Sequence, residues 1–230
     1  MTVRAGLGIP APRSREPFEV SVLDLPGCVA TGPEEALALA AVPAAIDRYL
    51  AIADAGGVGS PPRPAGQIVV VEHFEGSWDG TYEVSAFFVA DAEPVTERDV
   101  AFTRAMLAAT RTHLLEAANR AARWRPGERS VGEVLHHVAS AEWFYGARLE
   151  EDPEAVRASG FGGEFDPKQR LELVRAWAIE RIAGLPALGA LERTHRSERW
   201  TARKVIRRYI YHEIDHVSEL ESRSDRAMPS

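Results

Sequence analysis

The sequence predicts an α+β unit over residues 1–94, followed by an all-α, up-down four-helix bundle over residues 95–230. Three observations carry that expectation. Short alternating apolar runs, such as Phe18, Val20 and Val22, occur only before about residue 92. From Thr96 onward the texture changes to long amphipathic runs with helix-start residues in front of them. The last of these runs, Trp200 to Leu220, places Val205, Tyr209, His212, His216 and Leu220 on one helical stripe. Two histidines thus stand where a bundle helix would normally carry leucines.

Composition narrows the function classes. Hydrophobic residues make up 45% and charged residues 27% of 230 positions, ordinary for a soluble globular protein. A net charge of −7 argues against nucleic-acid binding through bulk electrostatics. The single cysteine, Cys28, excludes an intramolecular disulfide framework and a multi-cysteine metal cluster. The opening residues lack an apolar core of signal-peptide length, and no later run is expected to cross a bilayer. A cytoplasmic protein with no membrane or nucleic-acid partner is therefore expected. Its anticipated partners are a small-molecule substrate and, at most, a second copy of itself in a homodimer.

In chain order, residues 1–16, with two prolines and scattered arginines, read as a flexible lead-in. A strand over Phe18–Leu23 follows and ends in the turn Asp24-Leu25-Pro26-Gly27. Pro33-Glu34-Glu35 opens a helix with acidic residues at its positive end. Pro43 predicts a kink or break in that helix, and Gly56-Gly57 closes it. A loop rich in proline and glycine runs on to Gly66. Strands over Gln67–Phe74 and Tyr82–Val89 flank a turn at Asp79-Gly80.

The stretch FEVSVLDLPGCVATGPEEALALAAVPAAI resembles the HicB-like antitoxin domain, whose signature is a strand, a PDLPGC-type turn, a glycine and an EEAL helix. The resemblance covers residues 18–50, with Leu23 in place of a proline and a shortened Gly-Pro link before Glu34. The DNA-binding module that such antitoxins generally add has no counterpart here. The cluster Arg203, Lys204, Arg207 and Arg208 lies too deep in the last helix to supply one and reads as a solvated helix face. Cys28 reads as a small buried residue of the turn.

The first bundle helix is ERDVAFTRAMLAATRTHLLEAANRAARW, stopped by Trp124-Arg125-Pro126-Gly127. Ser130 caps the second, with Glu133 three residues on completing a capping box. After a loop with Gly160, Gly162 and Gly163, Asp166-Pro167 starts the third. The Trp200–Leu220 stripe is the fourth.

His136 and His137 are adjacent, so they point about 100° apart on a helix and cannot both face inward. His137 shares its stripe with Val134, Ala141 and Phe144, which selects it as the inward one. With His212 and His216 it offers three imidazoles from two helices, a set that leaves a divalent ion open positions for water or substrate. Zinc, nickel and iron all accept such a set. His113 and the tyrosines Tyr145 and Tyr209 fall on inward faces and read as core residues.

Residues 97–222 resemble the DinB superfamily of four-helix metal-binding proteins, through SVGEVLHHVASAEWFYGARL and ERWTARKVIRRYIYHEIDHVSEL. The resemblance implies His137, followed by Glu142 in an H-hydrophobic-A-x-x-E motif, as first ligand, and the pair His212 and His216 as the other two. It also implies a range of chemistry, including use of a low-molecular-weight thiol such as mycothiol or bacillithiol for isomerisation or S-transfer. Glu213, Asp215 and Glu142 are the candidate catalytic carboxylates, as groups that would orient a ligand imidazole. His212-Glu213-Ile214-Asp215-His216 also satisfies the HExxH pattern of zinc peptidases, but the third ligand those enzymes need further on is missing. Two readings follow: a metal-dependent thiol transferase or isomerase, or a metal- or ligand-binding protein whose first unit makes partner contacts.

Overall fold

The computed structural model describes residues 2–59, 63, 66–80, 82–121, 127–153, 155 and 166–225. The helix stop at Trp124–Pro126 and the glycine-rich link at Gly160–Gly163 lie outside the described residues, and the loop before Gly66 is described only in part.

The N-terminal unit is built on a four-stranded sheet with the order β3-β2-β1-β4, from β1 (Thr2–Ile9), β2 (Phe18–Val22), β3 (Val29–Gly32) and β4 (Gln67–Glu75). The lead-in expected at the start is thus a central strand. β1 runs antiparallel to β2, with Leu7 opposite Val20, and parallel to β4, with Val3 opposite Ile68. Val3, Ala5 and Leu7 alternate into the core. Alanine and glycine are weak strand formers, so this strand is imposed by its two neighbours more than by its own propensity. Helix α1 (Glu35–Ala55) covers the sheet and passes Pro43 without a break. Pro43 lies on the exposed side of the helix. α1 is also long and apolar enough to cross a membrane, contrary to expectation. It instead packs Ala38, Val42, Ile46 and Tyr49 against β2, β3 and the helix that follows.

The strand expected over Tyr82–Val89 shrinks to a small hairpin, β5 (Trp78–Asp79) with β6 (Tyr82–Glu83). Beyond it Val84, Ala86 and Phe88 are still buried alternately. The backbone there has found side chains, not another strand: the Ser85 carbonyl accepts from Lys204 Nζ at 3.1 Å and the Ala86 carbonyl from Arg207 Nη2 at 2.8 Å. That alternation looked like a strand because the pattern records burial and says nothing of where the hydrogen bonds go.

Four long helices follow: α2 (Glu97–Arg120), α3 (Val131–Ala147), α4 (Pro167–Gly184) and α5 (Ala202–Asp225). Thr96 with Asp99, and Ser130 with Glu133, form capping boxes, and Asp166 caps α4 through its carboxylate. α2 lies along α5 and α3 along α4, with α3 also against α5. A hairpin that the sequence reading missed, β7 (Glu192–His195) with β8 (Glu198–Thr201), precedes α5, so Trp200 belongs to a strand and the helix starts at Ala202. One apolar cluster runs from Val3, Leu7 and Val20 in the sheet through Met106 and Leu107 to Trp200 and Ile210. A second, around Leu114, Val134, Leu171, Val217 and Leu220, fills the helices further along.

The basic cluster on α5 is not a solvated face. Lys204 is fully buried against Glu198 at 2.7 Å, and Arg207 binds Asp91 through Nη2 at 2.7 Å. Arg203 reaches Asp99 at 3.1 Å, and Arg208 donates to the Tyr145 hydroxyl at 3.0 Å. Arg203, Lys204 and Arg207 fasten the segment between the sheet and α2 onto α5, while Arg208 ties α5 to α3.

Candidate metal centre

α3 and α5 pack side by side, and the histidine spacing does the rest. His212 and His216, four residues apart on α5, project from one face, and His137 projects from α3 toward them. The Nε2 atoms of His137 and His212 are 3.2 Å apart, and those of His212 and His216 are 3.3 Å apart. One nitrogen from each ring falls within 4.8 Å of the others. Two nitrogens each about 2.0–2.1 Å from one ion at the tetrahedral angle lie about 3.3–3.4 Å apart, so the spacing fits a shared divalent ion. Without an ion the arrangement is poorly matched. A neutral imidazole has one donor and one acceptor, so a proton on His212 Nε2 serves only one of its two neighbours and at least one lone pair stays unmet.

The protonation states of His137 and His212 favour ligation. Partial burial, together with the nearby His216 and the guanidinium of Arg129, pushes His137 down to about 4. Burial, helped by His216 and Arg208, holds His212 well below its ordinary value. His216 is buried, and its Nδ1 lies 2.6 Å from Glu219 Oε2. With Nδ1–H donated to that carboxylate, Nε2 presents its lone pair to the other two rings. Glu219 is held in turn by Arg129 at 3.0 Å and by Arg223. Its carboxyl is driven down to about 2: burial works against ionisation, but the bond to His216 and the neighbouring cations outweigh it. His137 is the exposed member, so the cluster opens to solvent on the α3 side.

Of the three candidate carboxylates, Glu142 and Glu213 line a small cavity with His212 and Tyr145. Glu142 and Glu213 meet each other's partners in a buried cluster with Arg111 and Arg175. Arg111 Nη2 binds Glu142 at 3.0 Å, Arg175 Nη2 binds Glu213 at 2.8 Å, and Arg111 Nε and Arg175 Nε close the ring. Thr110 also donates to Glu213 Oε2, the oxygen that takes Arg175. Burial would raise Glu213, but Arg175 and Arg111 carry it down to about 2. Asp215 is exposed on the opposite side of α5, lining a cavity of about 260 Å³ with Arg48 and Tyr211. His136 is exposed, and its neighbour Ser140 bonds its backbone carbonyl. Tyr145 stacks its ring edge-on to His212, with centroids 5.7 Å apart. His195 bonds the carbonyl of Arg148.

Glu219 was the residue that the sequence reading did not place beside the site. Its signal was present: three residues after His216, it occupies the next turn on the same side of the helix. Arg111 and Arg175 carried no such signal, since each reaches its glutamates across separate helices.

A helical protein presenting three convergent imidazoles from two helices is the class that fold and site define. The chain belongs to the DinB superfamily, whose family model matches residues 96–220, more than half of the sequence. No curated protein and no solved structure matches it.

Proposed function

We propose that His137, His212 and His216 hold one divalent metal ion, zinc, nickel or iron, and that the protein is a thiol-dependent S-transferase or isomerase acting on a small electrophile. The observation that carries this reading is the convergence of three Nε2 atoms at ligand-pair spacing, one of them tautomer-fixed by Glu219. An ion there would supply a Lewis-acid centre able to hold a small thiol, mycothiol or bacillithiol, in its nucleophilic thiolate form near neutral pH. The chain's own contribution is to keep His137 and His212 neutral, to orient the His216 ring through Glu219, and to leave the His137 side open for substrate. Glu213 fits poorly as the base of a peptidase, because its oxygens already serve Arg111, Arg175 and Thr110. The helices α2–α5 read as an up-down bundle around this centre. In the first unit β2, the turn, β3 and α1 follow one another, and to this unit, as a HicB-like domain, falls a role in partner contacts or homodimer assembly. A cytoplasmic location suits the single thiol, Cys28, which is buried and pushed up to about 12 by burial.

The test is metal analysis of purified protein, followed by titration of the cobalt-substituted form with mycothiol or bacillithiol. A sulfur-to-cobalt charge-transfer band is expected. Full metal occupancy with no band for any cellular thiol would favour the second reading, a metal-binding protein without turnover. That reading draws on one observation: Glu142 and Glu213 are saturated by arginines and so are not free to act as acid–base groups.

A further inference from the structure

Arg208 stands one helical turn before His212 on α5, so the two side chains leave the same stripe about 6 Å apart along the axis. Across the groove, Tyr145 lies two turns beyond His137 on α3 and touches both: its hydroxyl accepts from Arg208 Nη2 at 3.0 Å, and its ring meets that of His212 edge-on. His137 with His212, and Tyr145 with Arg208, are thus successive rungs between the two helices. On α3 the turn between the rungs carries the small residue Ala141, which is partly exposed. Arg208 is close enough to the centre for its charge to help hold His212 neutral.

This guanidinium is the unmatched cation of its helix. Every other basic side chain on α5 meets a carboxylate: Arg203 meets Asp99, Lys204 Glu198, Arg207 Asp91 and Arg223 Glu219. Among the described residues Arg208 meets a tyrosine hydroxyl and no carboxylate. Glu19 acts on it only through space, with Oε1 accepting from Tyr211 at 3.0 Å. The rings of Tyr145 and Tyr211, centred 5.0 and 5.4 Å from Cζ, flank the charge. Nε is sealed from solvent with no acceptor, whereas Nη1, also without one, is not sealed. A partly buried cation without a counter-ion is costly, and the planar fork of an arginine matches the two oxygens of a carboxylate.

We propose that Arg208 determines the specificity of the histidine centre, as the receptor for the carboxylate of a small reactant whose other end reaches the metal. The inference rests on the metal-centred reading given above and narrows it to a substrate class. Tyr145 holds Nη2 and so leaves Nη1 to the ligand. The carboxylate belongs either to the thiol or to the electrophile, and the two sources call for separate probes.

The cobalt-substituted full chain is titrated with 3-mercaptopropionate and with 3-mercaptopropanol, which differ in the carboxylate alone, and the sulfur-to-cobalt band is read. The acid should bind at least about tenfold more tightly, the worth of one charge-assisted hydrogen bond. Arg208→Gln should bring the ratio to about one without changing cobalt content. Arg208→Lys keeps the charge but loses the fork, should give an intermediate ratio, and decides the matter where the Gln variant does not fold. If the electrophile carries the carboxylate, the acid shows no advantage. Calorimetry on the protein filled with mercaptopropanol should then show crotonate binding at least about tenfold more tightly than crotonamide, again only with Arg208 present. A preference in neither pair overturns the proposal, as does a preference that survives Arg208→Gln, which would mark chelation by the ion itself. A chain that takes up no cobalt overturns it together with the metal-centred reading, whereas uptake without any carboxylate preference overturns it alone.

Discussion

Helices α3 and α5 each contribute to two polar clusters, and the two are finished in opposite ways. In the first, α2 gives Arg111, α3 Glu142, α4 Arg175 and α5 Glu213: two cations and two anions, with the oxygens of both glutamates engaged. In the second, His137, His212 and His216 bring their rings together, and among the described residues a carboxylate stands on the far nitrogen of His216. The first cluster lies in the interior, where an unpaired group is costly, while the second is buried at His216 and open to solvent at His137. Saturation separates them. A cluster whose every charge is met locks helices together, while one with lone pairs to spare is equipped to hold something else.

Removing one member of each cluster should show the contrast most sharply. His216→Ala leaves two ligands, so stoichiometric metal should be lost after dialysis while circular dichroism stays native; full retention of metal would count against the three-histidine centre. Arg175→Ala should instead lower unfolding stability by about 3–5 kcal/mol, because Glu142 and Glu213 would then share one cation in a buried setting. Urea denaturation gives the number directly, and a cost below about 1 kcal/mol would show that the cluster is not a lock.

Acid should act on the saturated cluster in a defined window. Glu213 is held at about 2 in the folded protein, below its ordinary 4.5, so the folded state favours its ionised form. The stability this gives is complete above about pH 4.5 and is lost as pH falls toward 2. Denaturation midpoints measured across that window should fall with pH, and the fall should be shallower in Glu213→Gln. Glu219→Gln should cut metal affinity by about 10–100-fold with little effect on folding, since it removes the group that fixes the His216 tautomer. At the small end, Asp24→Ala breaks the pair with Arg4, where both side chains are well exposed, and should change stability by less than about 1 kcal/mol.

The parts of the molecule legible in the sequence are those whose cause is local. Ser130 with Glu133 and Asp166 with Pro167 announce two helix starts within four residues, and the spacing of His212 and His216 declares a shared face. The choice of His137 over His136 also came from local stripes, and in the folded chain His137 is the one beside the pair. What stayed hidden has distant causes. Arg207 reads as a surface cation until Asp91, over a hundred residues earlier, is folded against it. Glu213 looked available for chemistry because Arg111 and Arg175 arrive from two other helices. β1 depends on β2 and β4 for its identity, and nothing within Thr2–Ile9 reveals them.

The turn that carries Leu25 to Cys28 has a consequence for the far side of the protein. Gly27, at φ +87°, lies so close to α5 that a Cβ there would strike Ile210 and press on the backbone of Tyr211, the two residues before His212. Arg48 and Tyr211 continue the contact, bonding Ser218 and Glu19 across the same boundary. α5 is therefore gripped from behind along the very turns that present His212 and His216. A shift of that helix large enough to spread the imidazoles would be transmitted to the sheet within a single side-chain layer. If the imidazoles take up an ion, nitrogen–proton correlation spectra should show a displaced Cys28 amide resonance during a metal titration, and no change would mean that the grip is loose.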